Sequence, residues 1–421
     1  MAGLNDIVID KVNGLLRAGA NEDRISCLIC GGVEIANTLP LNKLTVPMYS
    51  LQDAEALGIT ELYDSVNKVL IHHHIKEYFQ PFGEKISSRP AKPLYLFMVS
   101  QSIPMSVMCD KNETNSAYKA ARDSGYKIKR FMVVLNPIDA YVPDIAANGF
   151  DVDVALAIAK AEACANALYD EHGTVHFYLE GRDFAPAVPG DAVAMDTFES
   201  ENVCVVFYQD LSVSGSDALH HGYAAVGTHV GMVTSKPTLA DCPAETGLNY
   251  QGNIQDIAEG RFLNYGFGNK PLAQWSLNAQ NAFYDKKYIL VRTFAETPGV
   301  FITQSFTCAK VTSDFIFSEL NEVHNKAHRG IYKAYVPYIN TKIRLVPSTG
   351  YIPGDVAKDL ERVGNAVFGA MVNAGEISGG KTYIDPAQTI AVSRKLTVKW
   401  KMVPVGKIEA MEGELSFVVG L

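Results

Sequence analysis

Four short stretches, residues 94–99, 131–135, 175–179 and 203–208, are apolar at nearly every position and rich in β-branched and aromatic side chains. Uninterrupted apolar runs of this length predict strands buried on both faces, as in parallel sheets covered by helices. Residues 152–169 are alanine-rich and predict a helix. Residues 222–233 are mostly small and can pack closely as another. Strands separated by helices over residues 25–233 predict an α/β region with a partly parallel sheet.

The pattern changes after Ser235. Pro237, Pro243, Gly247, Gly252, Gly260, Gly266, Gly268 and Pro271 break the chain into loops, which places a domain boundary here. Strands resume at 288–294 and 300–307. A helix then starts with Ser313 or Asp314 as N-cap and carries Ile316, Leu320, Val323, Ala327 and Ile331 on one face. A second follows Pro353-Gly354, with Asp355 as N-cap and Val356, Leu360, Val363, Val367 and Met371 as its stripe. Gly375 is its stop. Four segments result: an N-terminal strand arm (1–24), an α/β region (25–90), a larger α/β domain (91–235) and a C-terminal α+β domain (236–421).

Both ends of the chain are strand-like. Ile7, Val8, Ile9 and Val12 lie in a short alternating stretch between glycines, with no hairpin partner at turn distance. Near the other end, Leu396, Val398, Trp400 and Met402 alternate with Lys395, Thr397, Lys399 and Lys401, a strand with one wet face. After Pro404-Val405-Gly406, a second stretch holds Ile408, Met411, Leu415, Phe417, Val418 and Val419. Chain ends are usually polar and frayed. Apolar ends need a partner, and a strand without a local one pairs at long range or with another molecule.

Composition narrows the function classes. At 421 residues, 48% hydrophobic and 20% charged, the chain is globular and long enough for two or more domains. A formal charge of -9 without basic runs argues against nucleic acid or an anionic membrane as the main partner. No apolar stretch approaches the roughly 20 residues that span a bilayer, and no signal peptide is visible, so synthesis in the cytoplasm is expected. The seven cysteines are scattered, as reduced thiols are. Cys27 and Cys30 form a CxxC on a predicted strand, where their spacing puts them on opposite faces; buried thiols are expected.

Candidate chemistry is thin. His72-His73-His74 lie on an amphipathic helix, about 100° apart from one to the next, and are expected to form a surface or partly packed face. His220, His221 and His229 sit among Tyr223, Gly227 and Gly231, which suggests helix packing. His324 and His328 have zinc-binding spacing, but no glutamate follows the first histidine. The strand C-terminal ends offer Ser100, Asn136, Glu180, Arg182, Asp183, Gln209 and Asp210, where ligands bind in open α/β sheets. No GxSxG elbow, no phosphate loop and no helix-opening GxGxxG accompanies them. No metal, cofactor or catalytic residue is expected.

Residues 298–335 resemble the C-terminal domain of contractile tail-sheath proteins from Mu-like phages and related contractile injection systems. The resemblance rests on Pro298-Gly299-Val300-Phe301-Ile302-Thr303, on Ser313-Asp314-Phe315-Ile316 and on Glu322-Val323-His324-Asn325-Lys326-Ala327-His328-Arg329, with Glu322 where the family has arginine. Val403-Pro404-Val405-Gly406-Lys407-Ile408 is similar to the strand-turn-strand ending of many sheaths. The order of arm, strand, Leu51-Gln52-Asp53-Ala54-Glu55-Ala56-Leu57-Gly58 and helix is similar too. This resemblance implies a non-enzymatic subunit that polymerises helically around an inner tube, contracts to drive the tube through an envelope, and needs no cofactor. Its arms would be Ile7 to Val12 and the strand bearing Ile408, Leu415, Phe417 and Val419. Its candidate tube-facing side chains are Asp355, Lys358, Asp359 and Arg362. Partners implied are copies of itself, the tube protein, and baseplate and terminator proteins, with no nucleic acid or membrane insertion, in a phage tail or injection particle. Two alternatives stand beside it: an α/β hydrolase-like or ligand-binding enzyme with its site around Glu180, Arg182 and Asp210, and another self-assembling shell or tube protein.

Overall fold

A computed structural model describes residues 22–82, 91–145, 148–186, 188–242 and 264–408. The apolar runs form one parallel sheet. β1 (Ser26–Gly32) lies between β2 (Leu94–Ser100) and β3 (Arg130–Val134), and β4 (His176–Glu180) and β5 (Val203–Val206) extend it in the order 2-1-3-4-5. Cys27 and Ile29 of β1 enter one core while Leu28 and Cys30 enter the other. Both faces are covered, which explains why the strands lack polar alternation. Burial pushes both thiols well above their ordinary range, so Cys27 and Cys30 behave as core side chains.

On one face lie α1 (Leu51–Ala56), α2 (Glu61–Asn67) and α3 (Ile71–Phe79). α1 begins in a capping box: Ser50 Oγ accepts from the Asp53 N–H at 3.3 Å, and Asp53 returns the contact to the Ser50 N–H at 3.1 Å. On the other face lie α4 (Met105–Met108), α5 (Ala117–Asp123) and α6 (Val152–Asp170), whose alanines 157, 161 and 165 are buried. Beyond β5 come β6 (Tyr208–Asp210), α7 (Leu211–Ser214) and α8 (Val226–Ser235). α8 packs on α3 at very short range. A Cβ on Gly227 would lie 2.5 Å from the His74 carbonyl oxygen, and one on Gly231 2.7 Å from that of Tyr78.

The chain divides into two compact units, Met1–Lys236 with Pro243–Ser318, and Pro237–Cys242 with Glu319–Leu421. The sequence assigned everything after residue 235 to one C-terminal domain, yet residues 264–318 return to the first unit. β7 (Tyr265–Phe267) pairs with β6 and with β8 (Lys270–Pro271), α9 (Leu277–Asp285) follows, and Ile289 and Cys308 bridge to Val206 and Ser200 at the sheet margin. β9 (Val291–Phe294) and β10 (Thr297–Ile302) make a hairpin. The next helix, α10 (Ser318–Tyr335), starts later than Ser313 or Asp314. Thr307 N–H bonds Ile316 C=O at 2.9 Å and Phe306 bridges Phe317, so residues before Ser318 are drawn into pairing instead.

The second unit contains the rest of α10, α11 (Gly354–Asn373), β11 (Ile377–Tyr383), α12 (Ile390–Ser393) and β12 (Lys399–Pro404). Pro353, not Asp355, holds the N-cap position of α11, consistent with a proline before the first turn. The expected stop is present: Gly375 has φ 73°, and Gly375 and Glu376 N–H groups close onto Val372 and Met371 carbonyls. Leu239, Val323, Ala327, Phe368, Met371 and Ile377 form one small core, and Ile352, Ala357, Leu360 and Ile384 another.

Candidate assembly surface

The C-terminal ends of the parallel strands are where a ligand would bind, and the polar groups there are spent on the fold itself. Asn136, at the switch point between β1 and β3, accepts from the Leu70 N–H at 3.1 Å and donates to Gly31 C=O at 2.7 Å. Glu180 is buried; one oxygen accepts from Leu135 N–H at 2.9 Å and the other from Ala224 N–H at 3.1 Å, with Arg182 at 3.9 Å. Arg182 in turn donates to Leu219 C=O at 2.7 Å and has Asp183 at 3.2 Å. Gln209 donates to Tyr223 C=O at 2.7 Å, and Asp210 caps α7 through Ser212 N–H at 2.9 Å. Ser100 Oγ lies 3.0 Å from Ser102 Oγ. Each of these groups except Ser100 ties a loop or helix start to the sheet.

The histidine run is packed more deeply than the expected surface or partly packed face, with only His73 left half-buried. His72 and His74 are buried, because α3 is enclosed between the sheet, α1 and α8, and His73 Nε2 lies 3.0 Å from Tyr223 Oη. Among the described residues no group of three or more His, Cys, Asp or Glu side chains could hold a metal ion.

Two buried carboxyls make stability depend on pH. Burial raises Asp64, which accepts from His72 and His73 N–H groups at the start of α3, to about 7, and burial raises Glu180 to about 7 against the pull of Arg182. Unfolded carboxyls titrate near about 4. The folded chain therefore holds protons that the unfolded chain has released, and the stability these groups add below about 4 is lost as pH rises through 7. Buried His74 opposes this: its lowered pKa makes the unfolded chain the stronger proton binder below about 6.5. Between pH 8 and 6.5 the carboxyls dominate. The melting temperature is expected to rise over that interval, by the equivalent of about 1 kcal/mol, in calorimetry at both pH values. A fall would mean that both carboxyls stay ionised.

The arm residues Ile7, Val8, Ile9 and Val12, and Leu415, Phe417 and Val419, lie outside the described residues. Ile408 is described and 75% exposed, just beyond β12. Its neighbour Lys407 anchors the chain there through Glu319 Oε1 at 3.0 Å and Cys242 Sγ at 3.1 Å. Asp355, Lys358, Asp359 and Arg362 all sit on the exposed face of α11, opposite buried Ala357, Leu360, Gly364 and Phe368. Asp359 and Arg362 pair at 2.7 Å.

The second unit contains a two-stranded antiparallel sheet of β11 and β12. Its inner face rests on the helices: Trp400, itself 42% exposed, meets Tyr335 of α10 edge-on, Thr382 is buried, and a Cβ on Gly380 would lie 2.4 Å from the Phe368 ring of α11. Its outer face is lysine-rich, with Lys381 directly opposite Lys401 and Tyr383 opposite Lys399, all four exposed. Among the described residues neither outer edge has a strand partner. The sequence reading identified the wet lysine face of β12 but assigned no strand between Gly375 and Lys395, where β11 lies.

No curated protein matches the chain in sequence. Residues 4–306 match the N-terminal domain of the family DUF2586, and residues 314–421 match its C-terminal domain. Among solved structures, a chain of the anti-feeding prophage (AFP) baseplate is similar with TM-score 0.61 and 12% identity, covering 100% of both chains. A chain of the AFP helical sheath in its contracted state is similar with TM-score 0.58 and 14% identity, covering 99% of each chain. A chain of the PVC sheath complex of an extracellular contractile injection system, also contracted, has TM-score 0.56 and 10% identity, covering 100% of this chain and 99% of that one. The α/β unit followed by a smaller α+β unit is thus the fold of these sheath and baseplate chains.

Proposed function

The chain belongs to the DUF2586 family, and from its fold and sequence together we propose that it is the subunit of a contractile tail sheath. The observation that carries this is the end-to-end likeness, 99% of both chains, to a subunit of a contracted helical sheath. A sheath subunit needs strands that can be shared between copies, and the open β11–β12 sheet together with strand-like sequences at both ends of the chain supplies them. Head-to-tail contacts that do not close produce an open helix. Contraction is then a change between two packings of rigid units tethered by their arms. Residues 1–24 serve as the N-terminal arm, and the stretch from Ile408 to Leu421 as the C-terminal one.

The function is mechanical and not catalytic, in line with the role of Glu180, Arg182 and Asn136 in holding the sheet's loops. Partners are copies of the chain, an inner tail tube, a baseplate and a terminator protein, assembled in the bacterial cytoplasm and retained in the particle's tail. Negative-stain imaging of the purified protein tests this: striated hollow cylinders are expected. Thin-walled shells would favour a different self-assembling protein, and featureless monodisperse particles an enzyme.

The exposed face of α11 is the proposed contact with the tube. Replacing Asp355, Lys358, Asp359 and Arg362 by alanine is expected to leave cylinders intact while lowering the tube protein recovered with them by about tenfold. Undiminished recovery would remove α11 from that role.

A further inference from the structure

A thiol, an ammonium group and a carboxylate converge inside the second unit. Cys242 Sγ has Lys407 Nζ at 3.1 Å, and the same nitrogen lies 3.0 Å from Glu319 Oε1. Burial by itself would lower the Lys407 pKa, but Glu319 and Cys242 outweigh it and hold the group above the ordinary lysine range. A cation held this close favours the thiolate, which is the reactive form of cysteine. Burial instead pushes Cys27, Cys30, Cys109, Cys164 and Cys308 upward and keeps them as neutral thiols. Cys242 is buried too, but the Lys407 side chain is 26% exposed, so a molecule as small as a peroxide can reach the pair along it.

We propose that Cys242 and Lys407 form an oxidative cross-linking site, at which hydrogen peroxide joins them through one oxygen atom as Sγ–O–Nζ. First, the Cys242 thiolate attacks one peroxide; an S–O bond replaces the O–O bond, giving a sulfenic acid and hydroxide. That change removes one of the two groups holding Lys407 charged. The hydroxide takes the ammonium proton by way of Glu319 and leaves as water. Next, the neutral amine attacks a second peroxide, giving a hydroxylamine and water. The hydroxylamine oxygen then displaces hydroxide from sulfur, which leaves with the hydroxylamine proton as a third water. Sulfur and nitrogen each give up two electrons, and each peroxide accepts two. A reducing cytoplasm keeps the pair unlinked, and peroxide met outside it closes the bond. The link fastens Lys407, at the root of the segment from Ile408 onward, to Cys242, the last residue before the chain enters the first unit.

Peptide mass spectrometry of the purified full-length chain, after hydrogen peroxide and then alkylation in denaturant, reads this bond directly. The expected product joins the peptides holding Cys242 and Lys407 and is about 14 Da heavier than their sum, one oxygen gained and two hydrogens lost. Alkylation of Cys242 and tryptic cleavage after Lys407 are each expected to fall by at least about fivefold, and dithiothreitol to restore both. Lys407→Arg keeps the positive charge but removes the amine, and is expected to abolish the product; thermal melts check its folding. Because the wild-type product is read by itself, a misfolded variant leaves the result decided. Cys242 alkylated as fully as before treatment, or oxidised to sulfinic acid with Lys407 still cleaved, would overturn the inference. So would the same mass gain at Cys242 in the Lys407→Arg chain. The measurement is made on dispersed subunits, so its outcome is independent of whether the chain forms cylinders.

Discussion

Removing residues 1–12 is expected to leave a subunit that folds and melts like the full chain and forms no cylinders at any attainable concentration. The reason lies in the division of labour along the sequence. Every strand of the parallel sheet lies beyond Arg24, so the subunit's folding is expected not to require the deleted residues. The N-terminal segment is proposed to contribute instead to contacts between copies. Burying Ile7 and Ile9 there is worth about 4 kcal/mol in all, before any backbone hydrogen bond is counted. That is about a thousandfold in association constant at each junction. Circular dichroism melts and pelleting assays on the same sample separate the two properties. Wild-type polymerisation by the truncated chain would remove the N-terminal arm from the account, and a truncated chain that unfolds would reassign residues 1–12 to the subunit's own core.

The second large effect concerns the subunit's interior. Gly231→Leu is expected to destabilise the chain by about 3 kcal/mol or more, and Gly227→Leu at least as much. At both positions the new Cβ would meet a backbone oxygen of α3, at 2.7 and 2.5 Å, and a backbone cannot swing aside as a flexible side chain can. α8 would have to move off α3, opening the core that Tyr78, Val226 and Val230 share. Gly369→Ala in α11 is the control: its Cβ meets nothing within 4 Å, and it is expected to be neutral or stabilising by up to about 1 kcal/mol. Denaturant midpoints of the three variants check this. A Gly231→Leu chain as stable as wild type would show that the α3–α8 contact is looser than described.

What was legible in the sequence followed from how completely each element's environment is set by its own residues. The strands around Phe97, Val133, Leu179 and Val205 are buried on both sides, so their apolar runs announced them. The small residues around Gly227 and Gly231 announced close helix packing. The failures are places where distant contacts decide. The glycine-rich stretch around Gly379 and Gly380 carries no strand pattern, yet β11 is a strand in which Gly380 leaves room for the Phe368 ring. Ser313 looks like an N-cap, but its hydroxyl donates to Glu201 at 2.6 Å, and the helix waits until Ser318. His72 and His74 look like a surface or partly packed face, but α3 is covered on several sides and both are buried. The proposed assembly surface was half visible: the alternation of Lys399, Trp400 and Lys401 marked a wet face, while the lysine opposite Lys401 emerged only with the pairing register of β11.

A helical reconstruction of the assembled protein by cryo-electron microscopy bears most directly on the claim that this chain works by lending strands to its neighbours. A hollow striated polymer is expected, in which a strand bearing Ile7 and Ile9 from one subunit lies beside β12 of the next. Residues 1–12 folded back onto their own subunit, or a protein that stays monomeric at high concentration, would contradict it.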